Sequence, residues 1–144
     1  MTKGVPWPFD PAVAAVICVQ LSLGRSLRAV LKDDGMPSRD TVFRWIRANE
    51  AFLRDYNQAR EDQADTLADE ILDIADEEVA TINDQGFERV DSAAVQRQRL
   101  RVDARKWVAS KLKPKKYGEK VSTEISGPDG GPVVVRATQA DAKL

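Results

Sequence analysis

The stretch Met36-Pro-Ser-Arg-Asp-Thr-Val-Phe-Arg-Trp-Ile-Arg-Ala48 decides the fold. Ser38 is placed to cap a helix over Arg39–Ala48, because its hydroxyl can accept an orphan N–H of the first turn. At 100° per residue that helix puts Val42, Trp45 and Ile46 on one side, with Phe43 at the margin. Asp40, Arg44 and Arg47 fall opposite, flanked by Thr41 and Ala48. One face packs and the other carries two guanidiniums.

Upstream, Ser26 caps a short helix, Leu27–Lys32, which ends in the turn Asp33-Asp34-Gly35. Two short helices joined by a Gly-containing turn form a helix-turn-helix pattern. Before them, Asp10-Pro11 opens a helix with apolar positions Val13, Val16, Ile17 and Leu21, and Gly24 supplies a left-handed stop. The Arg face suits a DNA major groove, where Arg bonds phosphates or the N7/O6 edge of guanine. Candidate DNA contacts are Arg44 and Arg47, helped by Arg39 at the helix start and by Arg28 and Lys32 on the preceding helix. A solvated amphipathic helix gives the same periodicity.

Downstream, Glu50 to about Ile82 lacks Pro and Gly, and Ala64, Leu67, Ala68, Ile71, Leu72, Ala75 and Val79 form a stripe at helical spacing. A further helix is expected over Ala94–Leu112, its stripe being Leu100, Ala104, Trp107, Val108 and Leu112. Thr81–Ser92 between them reads as a loop. Trp45 and Trp107 are expected in the cores of the N-terminal and central modules.

The charges sort with these helices. The 144-residue chain has a net charge of −1, but Glu61–Ala93 holds 1 basic and 12 acidic residues, and Ala94–Lys120 holds 10 basic and 2 acidic. Asp65, Asp69 and Asp73 follow one another at i, i+4, a spacing at which like charges destabilise a helix by roughly 0.2–0.5 kcal/mol per pair. A basic partner surface is the economical reason. The acidic and basic helices are therefore expected to form a hairpin or to pair between subunits, with Asp65, Asp69 and Asp73 facing Arg97, Arg101 and Arg105.

Pro114 ends the basic helix, and the exposed segment Lys113–Lys120 follows. Val121–Ser126 and Pro132–Thr138 are β-prone runs around Gly-Pro-Asp-Gly-Gly, so a short C-terminal β-hairpin is expected. A lone hairpin leaves both edges open and calls for equivalents from other copies. Gln139–Leu144 reads as a disordered tail.

Several chemistries are excluded. With no His and one Cys, Ser-His-Asp triads, zinc fingers and disulfide frameworks are ruled out. Cys18 sits in an apolar run and reads as a small buried hydrophobe. No Gly loop is followed by Gly-Lys-Ser/Thr, so nucleotide binding is not expected, and no Ca-loop spacing accompanies the carboxylates. No cofactor or metal is expected, nor a secretory signal or membrane span.

Taken together, Met36-Pro37, Thr41-Val-Phe-Arg-Trp-Ile46, Ala64-Asp65, Glu70-Ile71, Ile74-Ala-Asp76, Leu100-Arg-Val-Asp-Ala-Arg-Lys-Trp107 and Pro114-Lys-Lys-Tyr-Gly-Glu-Lys-Val121 resemble the small terminase subunit of tailed bacteriophages, Sf6-like group. The resemblance spans roughly residues 16–121. It implies a mainly α fold with an N-terminal helix-turn-helix (1–50), a central helical hairpin for oligomerisation (51–120) and a C-terminal β-segment (121–138) contributing to an intersubunit β-barrel, with 139–144 as a tail. It also implies a non-enzymatic, ring-forming adaptor in the host cytoplasm. Its partners would be viral double-stranded DNA, further copies of itself and the large terminase subunit, which carries the ATPase and nuclease. The alternative from the residues alone is a dimeric helix-turn-helix transcriptional regulator.

Overall fold

Each of the first four helices starts on a side chain that accepts the backbone N–H groups of its first turn. In this computed structural model, which describes residues 6–136, Asp10 takes the N–H groups of Ala12 and Val13 at 3.0 and 3.3 Å and opens α1 (Pro11–Ser22). Ser26 takes Ala29 at 3.1 Å for α2 (Leu27–Val30), and Ser38 takes Thr41 at 3.2 Å for α3 (Arg39–Ala48). Asn49 takes Phe52 at 3.0 Å for α4 (Glu50–Asp76). Only Asn49 separates α3 from α4, and its extended backbone (φ −136°, ψ 105°) turns the chain between them.

The N-terminal core gathers Ile17 and Leu21 of α1, Val30 of α2, Val42 and Trp45 of α3, and Phe52 and Ala59 of α4. Cys18 packs partly buried against it, and burial pushes its thiol pKa up, with Asp55 adding to the effect. Thr41, expected beside the exposed face of α3, is buried, its hydroxyl bonded to Ser38 at 3.0 Å.

The 27 residues of α4 span about 40 Å. Its first half completes the N-terminal core, and its second half packs antiparallel to α5 (Ser92–Leu112). Their seam contains Ala64, Leu67, Ile74 and Ala109, all buried. Gln98 donates to the Ile74 and Glu77 carbonyls and so satisfies the end of α4. The end of α1 is tied to the middle of α4 by Thr66 donating to the Ser22 carbonyl (2.6 Å) and Gln63 to that of Arg25 (2.8 Å). Gly24, at φ +97°, ends that segment so close to α4 that a Cβ there would lie 2.9 Å from Glu70 Oε1. A short helix α6 (Pro114–Tyr117) follows α5.

The mainly helical architecture agrees with expectation, but α4 stops at Asp76 rather than near Ile82, leaving Val79 outside its stripe, and three further placements differ. Thr81–Ser92 is not a loop: β1 (Thr81–Asp84) and β2 (Phe87–Val90) pair antiparallel, Thr81 opposite Val90 and Asp84 opposite Phe87. Gln85 and Gly86, at φ +54° and +88°, make the turn, and the Gly86 N–H donates to Asn83. This is the only sheet among the described residues. The expected C-terminal hairpin forms no strand within Val121–Arg136, where a 3-10 turn at Pro128–Gly130 lies between stretches without regular secondary structure. Ala137, Thr138 and the expected tail 139–144 lie outside the described residues.

The third difference concerns the expected apolar stripe of α5. Trp107 is 64% exposed and Leu100 67%, rather than buried. The face of α5 that meets α4 is instead the row through Gln98, Arg101, Arg105 and Ala109, which turns Leu100, Ala104 and Trp107 outward.

Candidate nucleic-acid interface

Buried Trp45 and Val42 lock α3 by its inner face, so Arg44 and Arg47 project from the outer one. Arg44 Nη2 donates to the Trp7 carbonyl at 2.7 Å, and Arg47 is exposed in the last turn. Arg39 stands over the Phe43 ring, its guanidinium carbon 5.0 Å from the centroid. Arg28, Lys32 and Arg39 rim a cleft whose walls include Leu27, Leu31, Phe43 and Tyr56. Among the described residues none of Arg28, Lys32, Arg39, Arg44 and Arg47 pairs with a carboxylate. A cluster of cations free of ion pairs follows, spanning α2 and α3, with the exposed Asp40 on the same face.

The cleft has a fourth cation that the helix-turn-helix pattern does not reveal. Arg60 lines it from α4 while donating to Gln63 at 2.8 Å. Its place depends on how α4 crosses α3, and nothing in local periodicity encodes that crossing. Arg25, by contrast, is committed to structure. It bonds both oxygens of Asp33 at 2.6 and 2.9 Å and the Ala29 carbonyl, fixing the turn ahead of α3. That bond holds the Asp33 carboxyl below its ordinary range and raises Arg25.

The expected interface residues divide into two groups. Asp65 accepts from Tyr117, Lys113 and Lys116 at 2.7, 2.9 and 3.0 Å within the same chain. The phenol bond first, then the two ammonium groups, hold its carboxyl far below the usual carboxylate range. Arg105 meets Glu70 at 2.6 Å and Arg101 meets Glu77 at 2.6 Å, the latter bond lowering Glu77 and raising Arg101. Acidic α4 and basic α5 do form a hairpin, but the partners of Arg101 and Arg105 are glutamates rather than Asp69 and Asp73. Asp69, Asp73 and Arg97 point outward and form no ion pair among the described residues.

Beside these free charges lies uncovered apolar surface: Leu72, Leu100 and Trp107 are each more than 60% exposed. Trp107 and Lys111 line an open groove with Ala68 and Ile71 of α4 and Pro114 and Tyr117 of α6. Among the described residues no cluster of His, Cys, Asp or Glu could hold a metal ion, and no helix is long and apolar enough to cross a membrane.

This arrangement, a helix-turn-helix head on a long antiparallel helical hairpin, has close counterparts. The chain belongs to the Sf6 terminase small subunit-like family, whose model matches residues 9–124. Three crystal structures of single-substitution variants of the terminase small subunit gp1 of the bacterial virus Sf6 superpose with a TM-score of 0.67 at 41–42% sequence identity, covering 92% of this chain and 95% of theirs. Curated proteins yield no match.

Proposed function

We propose that this chain is the DNA-recognition adaptor of a phage packaging machine. It assembles as a ring of identical subunits, binds the packaging site on viral double-stranded DNA, and delivers that DNA to the large terminase subunit in the host cytoplasm while regulating it. Catalysis resides in the large subunit. The observation that carries this reading is the set of five cations, Arg28, Lys32, Arg39, Arg44 and Arg47, left without acidic partners on a rigidly packed head. In the adjoining hairpin Asp65, Glu70 and Glu77 are, by contrast, each matched by a cation of the same chain.

The division of labour follows residues 1–50 for DNA, 51–120 for self-association and 121–138 for closure. Outward-facing Asp69, Asp73 and Arg97, together with exposed Leu72, Leu100 and Trp107, suit a heterologous contact in which the acidic side of one hairpin meets the basic side of the next. The Val121–Arg136 segment has Ile125 and Val133–Val135 exposed, and supplies strands that find their edges in neighbouring copies, closing a barrel.

Two measurements test this reading. Native mass spectrometry of the full chain should show a closed species of more than four copies; a dimer would favour a two-fold transcriptional regulator instead. Replacing Arg44 and Arg47 together by Ala should weaken duplex binding in fluorescence anisotropy and reduce the slope of log K against log salt by about 2, one for each lost phosphate contact. The ring should persist.

A further inference from the structure

The segment Trp7-Pro8-Phe9 belongs to no helix, yet it is fastened to α3 at several points. The Trp7 carbonyl accepts two hydrogen bonds, from Arg44 Nη2 at 2.7 Å and from Trp45 Nε1 at 3.1 Å. The Trp7 and Phe9 rings stand edge-on to Trp45, with centroids 6.2 and 5.4 Å away and interplanar angles of 89° and 85°. Phe9 also packs on Phe52, at 5.7 Å. Asp10 then caps α1, so the segment is held at its far end too. Pro8 disfavours helical backbone at Trp7 and so narrows what the segment can do when released.

One consequence falls on Arg44. A surface arginine is rotamer-rich and loses that freedom when it engages a ligand, which weakens binding. Here one amino group of the fork is already anchored, and the donors left over point outward from a fixed plane. A planar guanidinium serves an internal carbonyl and an external acceptor from donors held in one fixed fork, a geometry that the rotatable donors of a lysine ammonium do not set. The buried Trp45 indole donor makes the anchor durable, because without the Trp7 carbonyl it would lose its partner.

We infer that Trp7–Phe9 is a positioning strap that presents Arg44 of α3 to DNA in a single orientation. Trp7 is thus a positioning residue outside the helix-turn-helix, acting through its backbone carbonyl. The inference rests on the proposed role of the α3 face, and its test separates the two.

The test is a double-mutant cycle on the full-length chain, reading affinity for a fluorescein-labelled mixed-sequence 24-base-pair duplex by anisotropy, with thermal melting of each variant. Arg44→Ala should weaken binding. Trp7→Ala should weaken it about fivefold, the factor for one oriented hydrogen bond. The double variant should bind like Arg44→Ala alone, and Trp7→Phe, which keeps an aromatic ring against Trp45, should bind like wild type. If Trp7→Ala melts below the binding temperature, Trp7→Leu replaces it in the cycle. A full Trp7 effect surviving in the Arg44→Ala background would show general destabilisation and overturn the strap, as would wild-type binding by Trp7→Ala when Arg44→Ala is impaired. Wild-type binding by Arg44→Ala would overturn the α3 face itself, and the strap's role with it.

Discussion

Tyr117 donates its phenol to Asp65 at 2.7 Å across 52 positions of sequence, and the Lys113 and Lys116 ammonium groups join the same carboxylate. One aspartate in the middle of α4 thus fastens the end of α5 and all of α6. Its carboxyl is held far below its ordinary range, so its stabilising contribution is present above the unfolded-state pKa of about 4 and declines as pH falls below that value. The Asp33 and Glu77 carboxyls are shifted in the same direction by Arg25 and Arg101 and add to the trend. We expect the melting temperature of the wild type to fall on acidification below about pH 4, and Asp65→Asn to start lower at neutral pH and fall less. Parallel melting curves against pH for the two proteins would remove Asp65 from this role.

Trp107→Ala should hardly alter the fold of an isolated chain, since the ring is 64% exposed there. Its effect belongs to assembly. Sedimentation velocity should show smaller species for the variant, while far-UV circular dichroism keeps its helical signal. Tryptophan emission of the wild-type assembly should shift to the red on dilution as Trp107 meets water. An intact assembly with unchanged emission would place Trp107 outside any contact between copies.

Trp45 presents the opposite case. At 3% exposure it touches Trp7, Phe9 and Phe52, so Trp45→Ala should cost about 3–5 kcal/mol in a urea melt, through lost burial and an unfilled cavity. Trp45→Phe should cost less but leave the Trp7 carbonyl with Arg44 as its only donor.

Charge reversals on α4 should separate folding from association. Glu70→Lys breaks a pair with Arg105 inside the chain, and Arg105→Glu alongside it should restore stability by about 1 kcal/mol of coupling in chemical denaturation. Asp69→Lys with Asp73→Lys touches no internal pair, and should leave melting nearly unchanged while loosening the oligomer in sedimentation. Equal effects of both reversals on melting would contradict this division.

Three helix starts were legible because each is local chemistry: Asp10, Ser26 and Ser38 meet N–H groups two or three residues away, as Asn49 does at a fourth start that the sequence reading did not single out. The fold of α3 was legible for the same reason, its moment being set by Val42 and Trp45 against Arg44 and Arg47. The β1–β2 hairpin was not. Its strands mix Asn, Asp, Glu and Arg with Ile, Phe and Val, all exposed, so no alternating buried face announces them. Its turn also places Gln85 at positive φ, where Asn or Asp is the usual signal. A pairing of β-prone Thr81-Ile82 with Phe87–Val90 around Gln85-Gly86 was the available clue. The inward face of α5 escaped for another reason: Arg101, Arg105 and Gln98 spend their polar ends on α4 carboxylates and carbonyls, so hydropathy points to the wrong side of the helix. Arg60 and the Trp7 carbonyl join the proposed DNA-binding surface only through tertiary packing.

The continuity of α4 gives the molecule a rotational phase. Phe52 and Ala59 sit in the head and Ile74 in the hairpin on one uninterrupted rod, with the end of α1 bolted to its middle through Ser22 and Arg25. A helix converts length into angle at about 100° and 1.5 Å per residue, so the bearing of Arg44 relative to the hairpin is written in the number of residues between them. Adding one residue to α4 would swing the head by more than a quarter turn, whereas adding seven would return it almost to its bearing about 10 Å further out. In a multi-copy assembly every head would be mis-aimed by the same amount, turning a single insertion into a uniform change of pitch around the DNA.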